Sequence, residues 1–135
     1  MSDPLTTQYT VLAERRLHFG RMYWQNIGLL CIGLVIAAGV FRGLTGVWLG
    51  VALAIAGGAT LLMAFIAMRL RGLEVAYEIL LRNIEDAWIA AGVVHIQRAP
   101  VSGSTGARYA VNVALAATGA ALIAAGINVL LAAAR

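Results

Sequence analysis

Histidine and cysteine are the residue types in this sequence best suited to metal binding, acid–base catalysis or nucleophilic attack. His18 and His95 lie in separate segments, and neither has a second ligand at a helical spacing such as four residues. Cys31 is the single cysteine, lies deep in an apolar run and cannot form an intramolecular disulfide. The apolar segments contain no histidine pair to hold a haem, and no serine, histidine and acid form a recognisable catalytic set. The sequence predicts no enzyme activity, no bound metal and no cofactor.

The glycine-bearing segment at residues 102–106 is the nearest approach to a phosphate-binding loop. It lacks the lysine of such a loop, and no predicted strand precedes it. We therefore interpret this segment as a linker.

Three long apolar segments are the elements that would have to position any site. Apolar residues make up 61% of the 135-residue chain, against roughly 45–50% in an average soluble domain, and charged residues only 12%. A soluble fold of this size has too little interior to hide that much apolar surface. We predict an all-α integral membrane protein with transmembrane spans at residues 23–41, 44–68 and 109–134. Only Arg42 and Gly43 separate the first two spans, which predicts a tight helical hairpin.

The predicted spans are free of ionisable side chains, with no Asp, Glu, Lys, Arg or His in any of them. Pumps and secondary transporters generally need such a group at membrane depth to couple ion movement to transport. The sequence therefore argues against active transport by this chain alone.

Small residues recur at helical spacing in two of the predicted spans. They stand every four residues in the second span, and two glycines stand seven apart in the third. The predicted helix-packing residues are Gly46, Gly50, Ala54, Gly58, Gly119 and Gly126. Small side chains let two helix backbones approach closely within a membrane. The spacing predicts a packing interface and leaves open whether it lies within one chain or between chains.

Three polar residues interrupt the third span, at Asn112, Thr118 and Asn128. The two asparagines are 16 residues apart, or ~24 Å along a helix, so they stand towards opposite ends of the span. Three roles fit them: positions near the two membrane surfaces, hydrogen bonds between helices, or the lining of a pore built from several copies.

Two segments outside the spans have the pattern of amphipathic cytoplasmic helices. Residues 4–22 follow a helix start at Asp3 and Pro4, and we predict a helix that lies near the membrane surface or runs into the first span. Residues 69–108 are predicted to form an amphipathic helix and then a loop that begins at Val93. The helix carries one apolar stripe, at Leu70, Leu73, Tyr77, Leu80, Ile84, Trp88 and Ala91. Three surfaces fit this stripe: the membrane, the rest of the chain, or a partner.

The distribution of arginine predicts the orientation of the chain. Eight of the ten arginines lie in the N-terminal segment or between the second and third spans, and the other two lie in the hairpin turn and at the C-terminus. By the positive-inside rule, the N-terminus is then cytoplasmic and the C-terminus outside. The predicted membrane-interface anchors are Arg21, Tyr23, Trp24, Arg69, Trp88 and Arg108.

The composition also bears on the location and the partners. All ten basic residues are arginine in an Ala- and Gly-rich chain, which is typical of high-GC bacterial coding and predicts the bacterial inner membrane. The arginines are not gathered into a stripe, so nucleic acid is not a predicted partner. We predict a non-catalytic membrane protein whose partners are the lipid bilayer and either further copies of itself or a larger membrane complex. The alternative is a homo-oligomeric pore lined by the third span, such as a channel, a holin-like protein or a membrane-disrupting effector.

Overall fold

A computed structural model describes residues 4–92 and 104–135, and these form three α-helices. Helix α1 is Pro4–Phe41, α2 is Gly46–Ala90 and α3 is Ser104–Ala133. All three are long and apolar enough to cross a membrane. The predicted all-α fold with three candidate spans is confirmed, a pattern that indicates a multi-pass membrane protein. The predicted helix start at Asp3, the histidine at 95 and most of the predicted loop lie outside the described residues.

Helices α1 and α2 each run without a break through a predicted span and the neighbouring polar segment. The chain has two prolines, at positions 4 and 100, so neither helix has a proline in its interior to break it. Helix α1 has 38 residues and α2 has 45, or ~57 Å and ~68 Å at 1.5 Å per residue. Both are much longer than the ~30 Å that a span requires.

Both ends of α2 carry a glycine with positive φ, a backbone conformation that other residues adopt only with strain. Gly46, with φ of +56°, begins the helix after a turn at residues 42–43 and two further residues, two residues later than predicted. Gly92, with φ of +68°, follows the last helical turn, and its amide donates to the Ile89 carbonyl at 3.0 Å. This is the glycine cap that commonly ends a helix.

The helices contribute to two compact units. The two-helix unit contains residues 4–24 of α1 and 69–92 at the end of α2. The three-helix unit contains residues 25–68, which hold the rest of α1 and α2, together with α3.

Candidate functional site

Helices α2 and α3 approach most closely in the three-helix unit where glycine faces glycine. A Cβ atom at Gly57 would lie 2.6 Å from the Gly119 carbonyl oxygen and 2.8 Å from the Ile123 amide nitrogen. A Cβ atom at Gly119 would lie 3.0 Å from the Gly57 carbonyl oxygen and 2.8 Å from Cγ of Leu61. Both glycines are buried. The backbones are therefore in contact, an approach that requires glycine on both helices.

A second glycine pair continues this contact two turns away. A Cβ atom at Gly126 would lie 2.7 Å from the Gly50 carbonyl oxygen and 2.9 Å from the Ala54 amide nitrogen. A Cβ atom at Gly50 would lie 2.7 Å from Cγ of Leu130. Gly50 precedes Gly57 on α2, but its partner Gly126 follows Gly119 on α3, so the two helices are antiparallel. Glycines seven apart on α2 thus match glycines seven apart on α3.

The structure divides the small-residue ladder predicted on α2. Gly50 and Ala54 face α3, whereas a Cβ atom at Gly46 or Gly58 would have nothing within 4 Å. A four-residue step advances about 400° around a helix, so the ladder drifts about 40° per step and its ends turn away from α3. Gly57, which the ladder omitted, takes the position facing Gly119. An interface role for Gly46 and Gly58 stays a prediction.

The three polar residues predicted on the third span do not share one face of α3. Asn112 is buried, with 5% of its surface exposed, and it stands seven residues before Gly119 on the face that meets α2. Asn128 is exposed. Thr118 is also exposed, and its hydroxyl donates to the Ala114 carbonyl at 2.8 Å, within its own helix. Asn112 therefore has an inter-helix position, whereas the other two side chains are exposed.

In the two-helix unit, α1 packs antiparallel against the end of α2. The Tyr9 hydroxyl donates to Oε1 of Glu85 at 2.8 Å, and the Tyr9 ring lies 5.1 Å from that of Trp88. About three turns further along α1, the Phe19 ring stacks on Tyr77, with centroids 5.5 Å apart and planes 16° apart. The chain itself therefore covers part of the apolar stripe.

Charged side chains flank this helix pair. Glu78 accepts from Arg82 at 2.8 Å, four residues later on the same helix, and also pairs with Arg16 of α1 at 3.5 Å. The Glu78 carboxylate of α2 thus contributes to the contact with α1 beside the apolar stripe.

The apolar stripe is wider than the surface that α1 covers. Leu81, outside the predicted stripe, is 5% exposed, whereas Leu73 and Leu80 within the stripe are 45% and 48% exposed. A groove with a volume of about 260 Å³ opens beside Leu80, and its lining is Gln8, Leu12, Leu80, Asn83, Ile84, Ala87 and Trp88. One side of the two-helix unit is therefore an uncovered apolar groove with two carboxamides.

The predicted membrane-interface anchors have different surroundings. Trp24 is 52% exposed and Arg21 and Arg69 are exposed, while Arg108 is half-buried. Tyr23 has none of its surface exposed, so it contacts protein and is not available to lipid headgroups in this conformation. Trp88, described above, lies against α1. Tyr23 therefore has a packing role, and an anchor role for the other five residues stays a prediction.

The described residues with the most reactive side chains, His18 and Cys31, both lie on α1. His18 contacts the edge of the neighbouring Phe19 ring, and Cys31 is exposed on α1. Within residues 4–92 and 104–135, no group of three or more His, Cys, Asp or Glu side chains is placed to hold a metal ion.

The geometry defines an all-α protein with three helices able to span a membrane, a glycine contact between α2 and α3, and a groove beside the two-helix unit. Comparison with protein-family models, curated proteins and solved structures gives no match to the chain. Its function is therefore inferred from its own residues.

Proposed function

We propose that the protein is a non-catalytic membrane subunit that packs into a homo-oligomer or a larger membrane complex. The chain itself covers little of the apolar surface of its three helices. In the most apolar 18-residue segment of each helix, 6% of the residues are buried in α1, 22% in α2 and 11% in α3. A bilayer or neighbouring helices must cover the rest, because exposed apolar surface of this extent is unfavourable in water.

The observation that carries a subunit role is the uncovered groove of the two-helix unit. Helix α2 continues 22 residues past Met68, the end of its predicted span, or ~33 Å, so this part lies beyond the hydrocarbon core in the proposed topology. Leu73 and Leu80 are half exposed there. Lipid tails do not reach this region, so a protein surface is the partner that fits it.

The proposed orientation places the two-helix unit in the cytoplasm and the C-terminus outside, in a bacterial inner membrane. Residues 4–24 and 69–92 belong to one unit, which supports a common side for both segments. Labelling of single cysteines at Thr10 and at Ala134, in a Cys31→Ser background, with a membrane-impermeant maleimide tests this. We expect labelling of intact spheroplasts at position 134 only; labelling at position 10 contradicts the orientation.

The state of assembly tests the subunit role. The protein is extracted from membranes in mild detergent, and its mass is measured by native mass spectrometry. We expect either several copies of this chain or a stoichiometric foreign protein. A monomer without a partner, at protein concentrations comparable to those in the membrane, contradicts the proposal.

A pore lined by α3 is the second candidate. The exposure of Asn128 and Thr118 favours it, because a second copy could meet α3 at these side chains. The burial of Asn112 removes the third predicted lining residue from the exposed surface.

A further inference from the structure

The charges of the two-helix unit differ between its two ends. The end next to the predicted spans carries Arg21 and Trp24 on α1 and Arg69 and Arg71 on α2, and residues 21–24 and 69–73 include no acidic residue. We call these four residues the basic end. The described remainder of the unit carries three arginines against five acidic residues. Positive charge is therefore concentrated where the helices continue into the apolar segments.

The four residues of the basic end lie at one height along the antiparallel helix pair. A Cβ atom at Gly20 would lie 3.4 Å from Oε1 of Glu74, so these two positions are level. Arg21 is then level with residue 73 of α2, and Trp24 with residue 70. The basic end thus occupies about five residues of α2, or ~6 Å, which matches the roughly 5–8 Å of a lipid headgroup layer.

Two arginines of the basic end have guanidinium groups that the chain does not use. Within the described residues, Arg21 and Arg71 form no ion pair and no side-chain hydrogen bond, whereas Arg16 and Arg82, farther from the spans, both pair with Glu78. A guanidinium can donate two parallel hydrogen bonds to a phosphate group. Phosphate oxygens are therefore suitable partners for Arg21 and Arg71.

We infer that the basic end binds the phosphate groups of anionic phospholipids in the cytoplasmic leaflet. This inference rests on the proposed membrane location and orientation, and it adds the class of lipid. Arg69 and Arg71 are two residues apart and so lie about 200° apart around α2, which prevents one small ligand from contacting both. A headgroup layer surrounds the helices and can contact every side. Anionic lipids fit best, because a zwitterionic headgroup brings a cation of its own to a height that holds three arginines.

Trp24 supports the same environment. Its side chain is 52% exposed, and it stands three residues after Arg21 on the same side of α1. An indole ring commonly lies at headgroup level, with its apolar part towards the lipid tails and its N–H towards polar groups. The pair thus offers a phosphate ligand and an apolar contact to one lipid molecule.

Native mass spectrometry of the full chain in mild detergent tests the lipid preference. Equal amounts of phosphatidylglycerol and phosphatidylcholine with the same acyl chains are added, and the bound lipids are counted. We expect phosphatidylglycerol to bind at least about fivefold more than phosphatidylcholine, and Arg21→Gln or Arg71→Gln to lower this preference about threefold to fivefold. Arg15→Gln is the control, since Arg15 is also exposed but lies six residues, or ~9 Å, farther from the spans. It should change the preference less than about twofold.

Three results overturn the inference: equal binding of the two lipids, a preference that Arg21→Gln and Arg71→Gln leave unchanged, or an equal loss with Arg15→Gln, which would reflect net charge alone. Inorganic phosphate at the concentration of the lipid tests a soluble ligand, and displacement of phosphatidylglycerol by it also overturns the inference. Circular dichroism checks that the variants stay helical. Arg21→Lys keeps the charge and should keep the preference within about twofold.

Trp48 allows an independent comparison in a bilayer, because it is 73% exposed and lies 21 residues, or ~32 Å, before Arg69 on α2. Single-tryptophan proteins keep Trp24 or Trp48, with phenylalanine at the other two positions, in nanodiscs with equal phosphatidylglycerol and phosphatidylcholine. One of the two lipids carries brominated acyl chains, which quench tryptophan on contact. We expect brominated phosphatidylglycerol to quench Trp24 at least about twofold more than brominated phosphatidylcholine, and both lipids to quench Trp48 equally.

The same ratio at both tryptophans overturns the inference. The proposed subunit function, which depends on the mass of the assembly, then stands. A protein that does not incorporate into nanodiscs contradicts the membrane location and so overturns both.

Discussion

Gly57 of α2 and Gly119 of α3 lie so close that a Cβ atom on either would come within 3.0 Å of the other's carbonyl oxygen. The neighbouring Gly58 has nothing within 4 Å of a Cβ atom. Adjacent glycines of the same helix thus have opposite environments, which makes them a matched pair for measuring the α2–α3 contact.

Gly57→Ala should destabilise the three-helix unit by about 1–3 kcal/mol, because the methyl group meets backbone atoms that move only with the whole helix. Gly58→Ala should be neutral or stabilise by up to about 1 kcal/mol, since alanine is the better helix former. Unfolding in detergent, followed by circular dichroism as the denaturing detergent fraction is raised, measures both. Equal effects of the two substitutions would show that α2 and α3 do not approach at Gly57.

A glycine at the end of α2 and a glycine in its interior allow a second comparison. Gly92 has φ of +68°, so Gly92→Ala should lower the free energy of unfolding by about 1 kcal/mol through backbone strain. Gly72 lies inside the helix with nothing within 4 Å of a Cβ atom, so Gly72→Ala should raise it by about 0.5–1 kcal/mol. Thermal unfolding of the two variants in detergent should therefore shift the midpoint in opposite directions. A shift in the same direction would contradict the left-handed cap at Gly92.

The ion pairs of the two-helix unit predict a salt-dependent stability. Glu78→Gln removes the partner of both Arg16 and Arg82, and should cost about 0.3–1 kcal/mol at low salt, because each pair is partly exposed. The difference should shrink above about 0.5 M NaCl, where the Debye length falls to a few ångströms. Glu14→Gln, at an exposed position on α1, is the control for a change of net charge. A cost for Glu78→Gln that salt does not reduce would mean that packing, and not charge, is the cause.

Hydropathy and periodicity were sufficient to predict three helices, although α3 begins at Ser104, within the segment predicted as a linker. Long uncharged apolar runs indicate spans through composition alone, and the stripe from Leu70 to Ala91 indicates a helix through its spacing. The partner of each face could not be predicted in the same way. The stripe is compatible with lipid, protein or the same chain, and only the positions of Tyr9 and Phe19 show that α1 covers part of it.

The choice of contact glycines shows a related limit. The most regular small-residue pattern in α2 was a ladder with four-residue spacing. Because an α-helix has 3.6 residues per turn, residues four apart rotate gradually around the helix axis. The ends of the ladder therefore no longer face the neighbouring helix. The matching seven-residue pairs, Gly50 with Gly57 and Gly119 with Gly126, were a signal in the sequence that points to the observed contact. Burial of Tyr23 had no such signal, because an aromatic residue at the end of an apolar run is equally typical of a membrane-interface position.

The two asparagines of α3 separate the subunit proposal from the pore. Asn112→Leu should destabilise the three-helix unit by about 1–3 kcal/mol, because Asn112 is 5% exposed and a leucine of different shape has little room there. Asn128→Leu should leave the stability within about 0.5 kcal/mol, since Asn128 is exposed.

In the subunit proposal, induced expression of the unsubstituted protein leaves the membrane potential intact, as measured with a potential-sensitive dye. The pore proposal expects the opposite result. If the unsubstituted protein depolarises the membrane, and Asn128→Leu abolishes this effect without changing the assembly, α3 lines a pore.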